Sequence, residues 1–560
     1  MTDIDIAPVA ERPPPADPVP TGDRRAWRDS RGLLWAVALP LIVIIGAGAI
    51  RFYDLGTPSR CYFDETYYYY DARDYLDVGT ETSFAVHPPV GKWLIAGGLA
   101  LFGVDQDSPI QQAITTEDDN CLVEEDDGEG PNPEVRAREA AEAFARRAAS
   151  ALFGTASVAV AYFVGLRLFR RRSAALLGAS LLAVDGLAIT MSRISMLDIF
   201  LQFFVLLGVL AVLIDRDRLW EGTPSHPYVA HDDEPTPGPL PRPGRGWLWA
   251  AGLFLGLAVA TKWSGLAPLG LAWVFVLGSE MWWRRRLTGR WTKNLFPAIC
   301  RGFLALVFVP IIVYVASYGG WFANFESTRK AARCETTQAV DVEADTAQAP
   351  ALPDQQVSDG CHGWNAVVQI SEGWWEEQGE IFRFHKNLQA DHPYRAPAWT
   401  WALMLRPVAY YYEACPSDGP AAADDPCEVP RGTVSEVLGI GNPAIWWVAL
   451  IGYPFLLFYA VARRSWPAIF IALFLFGQSL PYLISPRPVF LFYLTPAVPF
   501  IALSLAYLAD EALDSESMRW VPATISVVAM AGFVFWAPIF LGFDIPRQTW
   551  DLLILFNSWI

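Results

Sequence analysis

Two carboxylates, Asp64 and Glu65, stand side by side in RFYDLGTPSRCYFDETYYYYDARDYL, the stretch that begins at Arg51, and HPPVGK follows at residues 87–92. A carboxylate pair directly after an apolar run suits proton transfer at a membrane boundary. Adjacent side chains leave a helix in different directions, so the two cannot share one proton, and the pattern predicts one base and one orienter. One base suffices for direct displacement at a carbon centre. A double displacement with retention calls for two carboxylates flanking that carbon, an analogy taken from hydrolases. Taken alone, the pair also reads as a solvated Asp-Glu in a juxtamembrane loop.

Three isolated cations complement the pair: Arg193 in SRISMLD, Lys262 in ATKWSGL and Arg487 in ISPRPVF. A lone cation between apolar runs is costly unless solvated or paired, so it marks a pathway or an anionic ligand. The plainer readings are snorkelling to headgroups or pairing with Asp198. Three of them on one face, opposite an acidic pair, favour a shared site. His385, His392 and Glu376 match a metal-ligand spacing only loosely, so no metal site is predicted from them and no other cofactor is predicted.

The elements that carry these residues follow from composition. The chain has 560 residues, 53% of them hydrophobic, with 24 Trp and 33 Phe, which is the make-up of a polytopic membrane protein. Apolar runs long enough to cross a bilayer lie near residues 33–50, 148–169, 174–191, 197–214, 247–262, 265–283, 298–318, 443–461, 466–484, 488–508 and 520–541, about 11 spans of an all-α fold. The run from Trp93 to Val104 is too short and is expected to be re-entrant or interfacial. The net charge of −17 is local in origin: thirteen acidic residues against two basic ones fall between Asp105 and Glu142. The basic residues form no continuous patch, which argues against nucleic acid.

Loop charge sets the orientation. Arg24, Arg25, Arg28 and Arg31, then Arg170 to Arg172, Arg284 to Arg286 with Arg290 and Lys293, and Arg463 with Arg464 share one side, so the N-terminus is expected to be cytoplasmic. Residues 1–30 form a disordered cytoplasmic tail in this scheme, and Glu221 to Gly246 a Pro-rich cytoplasmic linker. Two large loops then lie outside: residues 51–145, within an N-terminal transmembrane module of residues 31–318, and residues 319–440, ahead of a C-terminal transmembrane module of residues 441–560. Six of the seven cysteines fall in those loops, where disulfides are stable; proximity favours Cys61 with Cys121, Cys334 with Cys361 and Cys415 with Cys427, and Cys300 stands alone. Residues 363–413 are aromatic-dense and suit an amphipathic helix with interfacial Trp and Tyr, either a lid or a headgroup belt.

RFYDLGTPSRCYFDE, HPPVGK, FARRAASALFGT, SRISMLD, ATKWSGL, HPYRAPAWTWALMLRPVAYYYE and GNPAIWW, in this order, resemble the protein O-mannosyltransferases in their actinobacterial form. The resemblance runs from Arg51 to about Ala506. It implies a C-type glycosyltransferase fold and a donor that is a polyprenyl-phosphate monosaccharide, used at the external face of the plasma membrane. The acceptors it implies are Ser and Thr hydroxyls of exported proteins, with the secretion translocon as one route of presentation, and the transfer is inverting. Asp64 matches the family's general base and Glu65 its neighbour. Arg147, seven residues before Gly154, matches the leading ligand of the donor phosphate, with Lys262, Arg487 and Arg193 beside it. Arg193 and Asp198 match a family motif that also reads as an ion pair. His87 and Lys92 are expected to line the site, His87 also reading as a satisfied structural histidine, and Pro88 and Pro89 to stop a helix.

Two alternatives stay open: a C-type transferase moving another lipid-phosphate sugar to a glycan or lipid acceptor, and a transporter or flippase. The second should show inverted repeats and midplane charge. The chain shows neither.

Overall fold

The computed structural model describes residues 34–102, 133–221, 244–333, 363–389, 391–417 and 429–560. Along them run α1 (Leu39–Phe52), α2 (Glu65–Asp77), α3 (Val90–Leu101), α4 (Pro133–Leu168), α5 (Arg172–Ala183), α6 (Gly186–Ser192), α7 (Asp198–Glu221), α8 (Gly246–Thr261), α9 (Leu266–Thr288), α10 (Phe296–Ser317), α11 (Gly363–Asn387), α12 (Pro443–Val461), α13 (Trp466–Gly477), α14 (Val498–Ala512) and α15 (Val521–Leu541). Among the described residues, eight helices have the length and composition to cross a membrane. The pair α5 and α6 makes a ninth, and the shorter apolar helices α1 and α8 fall where the remaining two expected spans lie. Helix α3, at 12 residues, is the short segment expected near Trp93. The 1–30 tail, most of the 221–246 linker, and Cys121, Cys334, Cys361 and Cys427, one at least in each expected pairing, lie outside the described residues. Cys300 is free and exposed.

One expected straight span is broken. Between α5 and α6 the chain turns by 60°, because Asp185 leaves the helical path to cap α6, its carboxylate accepting from the Ala188 N–H at 3.0 Å. The same carboxylate accepts from the Asn442 N–H and, at 2.7 Å, from the Trp446 indole. Asn442 caps α12 through Ala444 and donates to the carbonyls of Val184 and Ala529. The break thereby ties α5, α6, α12 and α15 at one level.

Close helix approach is set by small residues. A methyl group on Gly252 of α8 would stand 1.8 Å from the Ala305 carbonyl of α10, and one on Gly154 of α4 would stand 2.0 Å from Ser192 Oγ. The second contact lets Arg51 reach Ser192 Oγ at 3.1 Å from the end of α1.

The helical fold expected is found, with one small sheet added to it. The C-terminal part of the aromatic-dense segment forms β1 (Val408–Ala414), antiparallel to β2 (Thr433–Gly439), which pairs in turn with β3 (Ile545–Pro546). Residues 410–412 are all tyrosine, and the strand buries Tyr410 and Tyr411 while Tyr412 stays exposed; aromatic side chains suit such a half-buried strand. The first half is helical as expected, in α11. Pro88 and Pro89 do not stop a helix. Pro89 caps the start of α3, where a missing N–H costs nothing.

Candidate active site

Glu65 opens α2 and is fully buried. Its carboxylate accepts from Arg147 Nε and Nη2, both at 2.9 Å, and from the Ser195 N–H and hydroxyl at 3.0 and 2.7 Å. Arg146 Nε lies 3.5 Å away. Burial alone would raise this carboxyl; Arg147, then Arg146, outweigh it and hold it down at about 2.

Arg147 spends its remaining donors on the carbonyls of Leu55, Pro58 and Arg60, the last two at 2.6 and 2.7 Å. All five N–H groups of a guanidinium are thus engaged. Expected as a ligand of the donor phosphate, Arg147 here clamps the 55–65 loop. Arg193, expected at the phosphate or paired with Asp198, does neither. It collects the carbonyls of Ile50 and Arg51 in the last turn of α1 and of Tyr53 and Asp54 just beyond it, with Leu541 from α15. This is what a cation does at a helix C-terminus.

Asp64 points elsewhere from Glu65, as adjacency requires. It is partly exposed, and Tyr68, one helical turn on, donates its hydroxyl to Oδ2 at 3.3 Å. The preceding Phe63 holds a left-handed φ of 59°, and the rings of His392, Tyr410, Phe490 and Phe492 stand edge-on around it at 5.4–5.8 Å. A bulky residue persists in that conformation only when its surroundings dictate it, so the aromatic box sets the direction in which Asp64 leaves the chain.

Lys262, just past α8, pairs with Asp198, the first residue of α7, at 2.9 and 3.1 Å. Its ammonium lies 5.0 Å from the Tyr493 ring. Arg487 binds the Tyr493 hydroxyl at 2.7 Å and His385 Nδ1. Burial pushes the Asp64 carboxyl up, Lys262 pulls it down and Asp198 pushes it up again, with smaller downward pulls from Tyr68 and Arg487; the balance leaves it above the ordinary 3.8. The structure therefore brings together Asp64, Asp198, Lys262 and Arg487 from the expected set, and adds Tyr68 and Tyr493.

His87 lines this cluster. It is buried, stacks on His385 at 5.3 Å, and its Nδ1 has no partner among the described residues, so it is not a fully satisfied core histidine. Burial, then Lys262, pushes its pKa well below the usual value and keeps it neutral. Lys92 is withdrawn from the site: fully buried, it pairs with Asp71 at 3.3 Å and with Glu81, and donates to the His87 carbonyl at 2.8 Å. Among the described residues no three His, Cys, Asp or Glu side chains converge as metal ligands.

Tyr68 and Ser195 had a local signal, four residues after Asp64 and two after Arg193. Tyr493 and His385 had none, since their neighbours come from segments far apart in the chain.

The two carboxylates respond oppositely to acid. Glu65, held at about 2 against an ordinary 4.5, contributes stability that is complete above 4.5 and is lost as pH falls towards 2. Thermal unfolding of detergent-solubilised protein should show a falling Tm across that window. The Glu65→Gln variant should start lower at pH 7 and fall less steeply.

The arrangement offers a partly exposed base beside two cations and two phenols, suited to accepting a proton while an anionic group departs nearby. The family model described as dolichyl-phosphate-mannose-protein mannosyltransferase matches residues 41–121 and 134–322, and the C-terminal four TMM region of protein-O-mannosyltransferase matches residues 370–559. A polyprenol-phosphate-mannose–protein mannosyltransferase of Mycolicibacterium smegmatis (strain ATCC 700084 / mc(2)155) is 26% identical, covering 98% of this chain and 95% of its own length. The protein of the same description from Corynebacterium glutamicum is 28% identical over 73% of this chain and 76% of its own. In the solved structures, one chain of the Saccharomyces cerevisiae Pmt1-Pmt2 protein O-mannosyltransferase complex bound to the sugar donor superposes with a TM-score of 0.67 at 15% identity, covering 93% of this chain and 92% of that one. The fold is that of the C-type glycosyltransferases, and the chain is a multi-pass membrane protein.

Proposed function

The chain belongs to the dolichyl-phosphate-mannose-protein mannosyltransferase family, and from that membership we propose that it moves mannose, with inversion, from a polyprenyl-phosphate-mannose donor to Ser and Thr hydroxyls of exported proteins. The observation that carries this reading is the convergence of Asp64 with Lys262 and Arg487. The acceptor hydroxyl oxygen attacks the anomeric carbon and the bond from that carbon to the phosphate oxygen breaks. Asp64 takes the hydroxyl proton late in the step, so its position counts alongside its pKa. The departing polyprenyl phosphate needs positive charge rather than an acid. Lys262 already faces Asp198, so Arg487, which has no salt bridge among the described residues, supplies charge to the phosphate and Asp198 orients the lysine. Arg147, Arg193 and Lys92 hold the loops on which this set stands.

We also propose a cytoplasmic N-terminus and a site at the outer face of the plasma membrane, a reading supported by the distribution of basic loops. Acceptors then arrive as unfolded segments, with the secretion translocon as one source. The divisions at residues 30, 318 and 440 follow the same topology.

The test is transfer by purified protein to a Ser/Thr peptide from mannose, glucose and arabinose polyprenyl phosphates in parallel. Label should move from the mannose donor alone, and not to the same peptide with Ala at each hydroxyl residue. Transfer from another sugar, or to a lipid in place of the peptide, overturns the assignment. Arg487→Ala and Lys262→Ala should each raise the donor KM by about tenfold or more, the cost of losing a charge-assisted contact.

A further inference from the structure

His385 lies near the C-terminal end of α11, a helix that the proposed chemistry does not use. That helix is fixed to residues 314–333 by several contacts. Gln378 accepts from the Tyr314 hydroxyl at 2.6 Å, Arg329 reaches Glu377 at 2.7 Å, Lys330 reaches Glu380 at 2.7 Å, and Arg333 bridges Glu372 and Glu376 at 2.7 and 2.9 Å. Its last turn is thus delivered to the cluster from a firm base. There the His385 ring stacks on His87 and lies 5.8 Å from the Trp263 ring, beside Lys262.

Both ring nitrogens are committed, and their partners dictate the tautomer. The Val86 carbonyl, 3.2 Å from Nε2, can only accept, so Nε2 carries the proton. The Arg487 guanidinium can only donate, so Nδ1 presents its lone pair to Nη1. Burial and Arg487 together lower the pKa of His385 to about 4, which keeps that lone pair available. Arg487 is gripped at two points, Nη1 by His385 and Nη2 by the Tyr493 hydroxyl. Among the described residues the rest of its fork has no hydrogen-bond partner, unlike that of Arg147.

We infer that His385 is a positioning residue for the donor phosphate: by holding Arg487 it makes α11 a working part of the donor site. The inference rests on the proposed role of Arg487. A long cationic side chain held at one point samples many rotamers, and each hydrogen bond to a charged group that fixes it is worth roughly one decade in binding.

Steady-state kinetics with polyprenyl-phosphate-mannose and a Ser/Thr peptide test it, using His385→Ala, His385→Gln, His385→Asn, Arg487→Ala and the double variant His385→Ala/Arg487→Ala. Asparagine places an acceptor oxygen where Nδ1 stood, whereas glutamine keeps only the donor towards Val86. His385→Ala and His385→Gln should raise the donor KM by about tenfold with kcat within about twofold, and His385→Asn should stay within about threefold of the parent. The double variant should be no worse than Arg487→Ala. Asparagine as damaging as alanine, multiplying effects in the double variant, or an unchanged KM in all three His385 variants while Arg487→Ala raises it, each overturns the inference. An unchanged KM in Arg487→Ala itself overturns the phosphate role beneath it, a separate and recognisable failure.

Discussion

Asp64→Asn, given polyprenyl-phosphate-mannose and a Ser/Thr peptide, should lower kcat by about 10²–10⁴-fold, the range of a lost general base, with the donor KM nearly unchanged. Asparagine keeps the shape and an oxygen able to accept from Tyr68, and removes the negative charge and with it the basicity that takes the proton. In the parent, kcat/KM should climb with pH through a value above the ordinary 3.8, because burial and Asp198 disfavour the charged form more than Lys262, Tyr68 and Arg487 restore it. The same shift makes the variant a stability test. A carboxyl whose folded pKa is raised contributes most below 3.8 and loses that contribution as pH rises through its folded value. At neutral pH the charge on Asp64 is therefore a cost to the fold, and Asp64→Asn should melt at or above the parent temperature. A variant inactive and less stable at pH 7 would assign Asp64 to structure instead.

Which parts of this site were legible in the sequence follows from what charge in an apolar setting does. Lys262, Asp198 and Arg487 stand alone between hydrophobic runs, where an ion persists only with a partner or a ligand, so their convergence was open to inference. Arg193 carries the same signature, and Arg147, beside Arg146, was pointed to by the family resemblance alone; both have another destination. A guanidinium saturated by main-chain carbonyls is indistinguishable in sequence from one awaiting a phosphate, because the carbonyls of Leu55, Pro58 and Arg60 leave no mark in residue type. The spans were legible from length and hydropathy, except at Asp185, whose capping bond bends a run that hydropathy reads as continuous. The hairpin of β1 and β2 was hidden because three consecutive tyrosines fit an interfacial belt as well as a strand.

Arg147→Ala separates the two readings of that arginine. Removing it leaves the Glu65 carboxylate fully buried with Arg146 at 3.5 Å as the nearest cation, and it strips three loop carbonyls of their donor. Breaking one side of a buried pair costs about 3–5 kcal/mol, so the variant should be poorly folded or should melt far below the parent. Arg147→Lys is the more informative change: an ammonium neutralises Glu65 but cannot span Glu65 and the carbonyls of Pro58 and Arg60 together. It should fold with a lowered Tm and a reduced kcat, since the 55–65 loop also aims Asp64, while the donor KM moves little. A phosphate ligand predicts the reverse, a raised donor KM at unchanged Tm. Arg147→Met/Glu65→Gln should recover part of the Tm lost in Arg147→Ala, because deleting both charges removes the orphaned one, yet kcat should stay low. Recovered stability without recovered turnover would place the Glu65–Arg147 pair beneath the active site, as the brace that lets a carboxylate next to it stay partly exposed, raised in pKa and aimed at the acceptor.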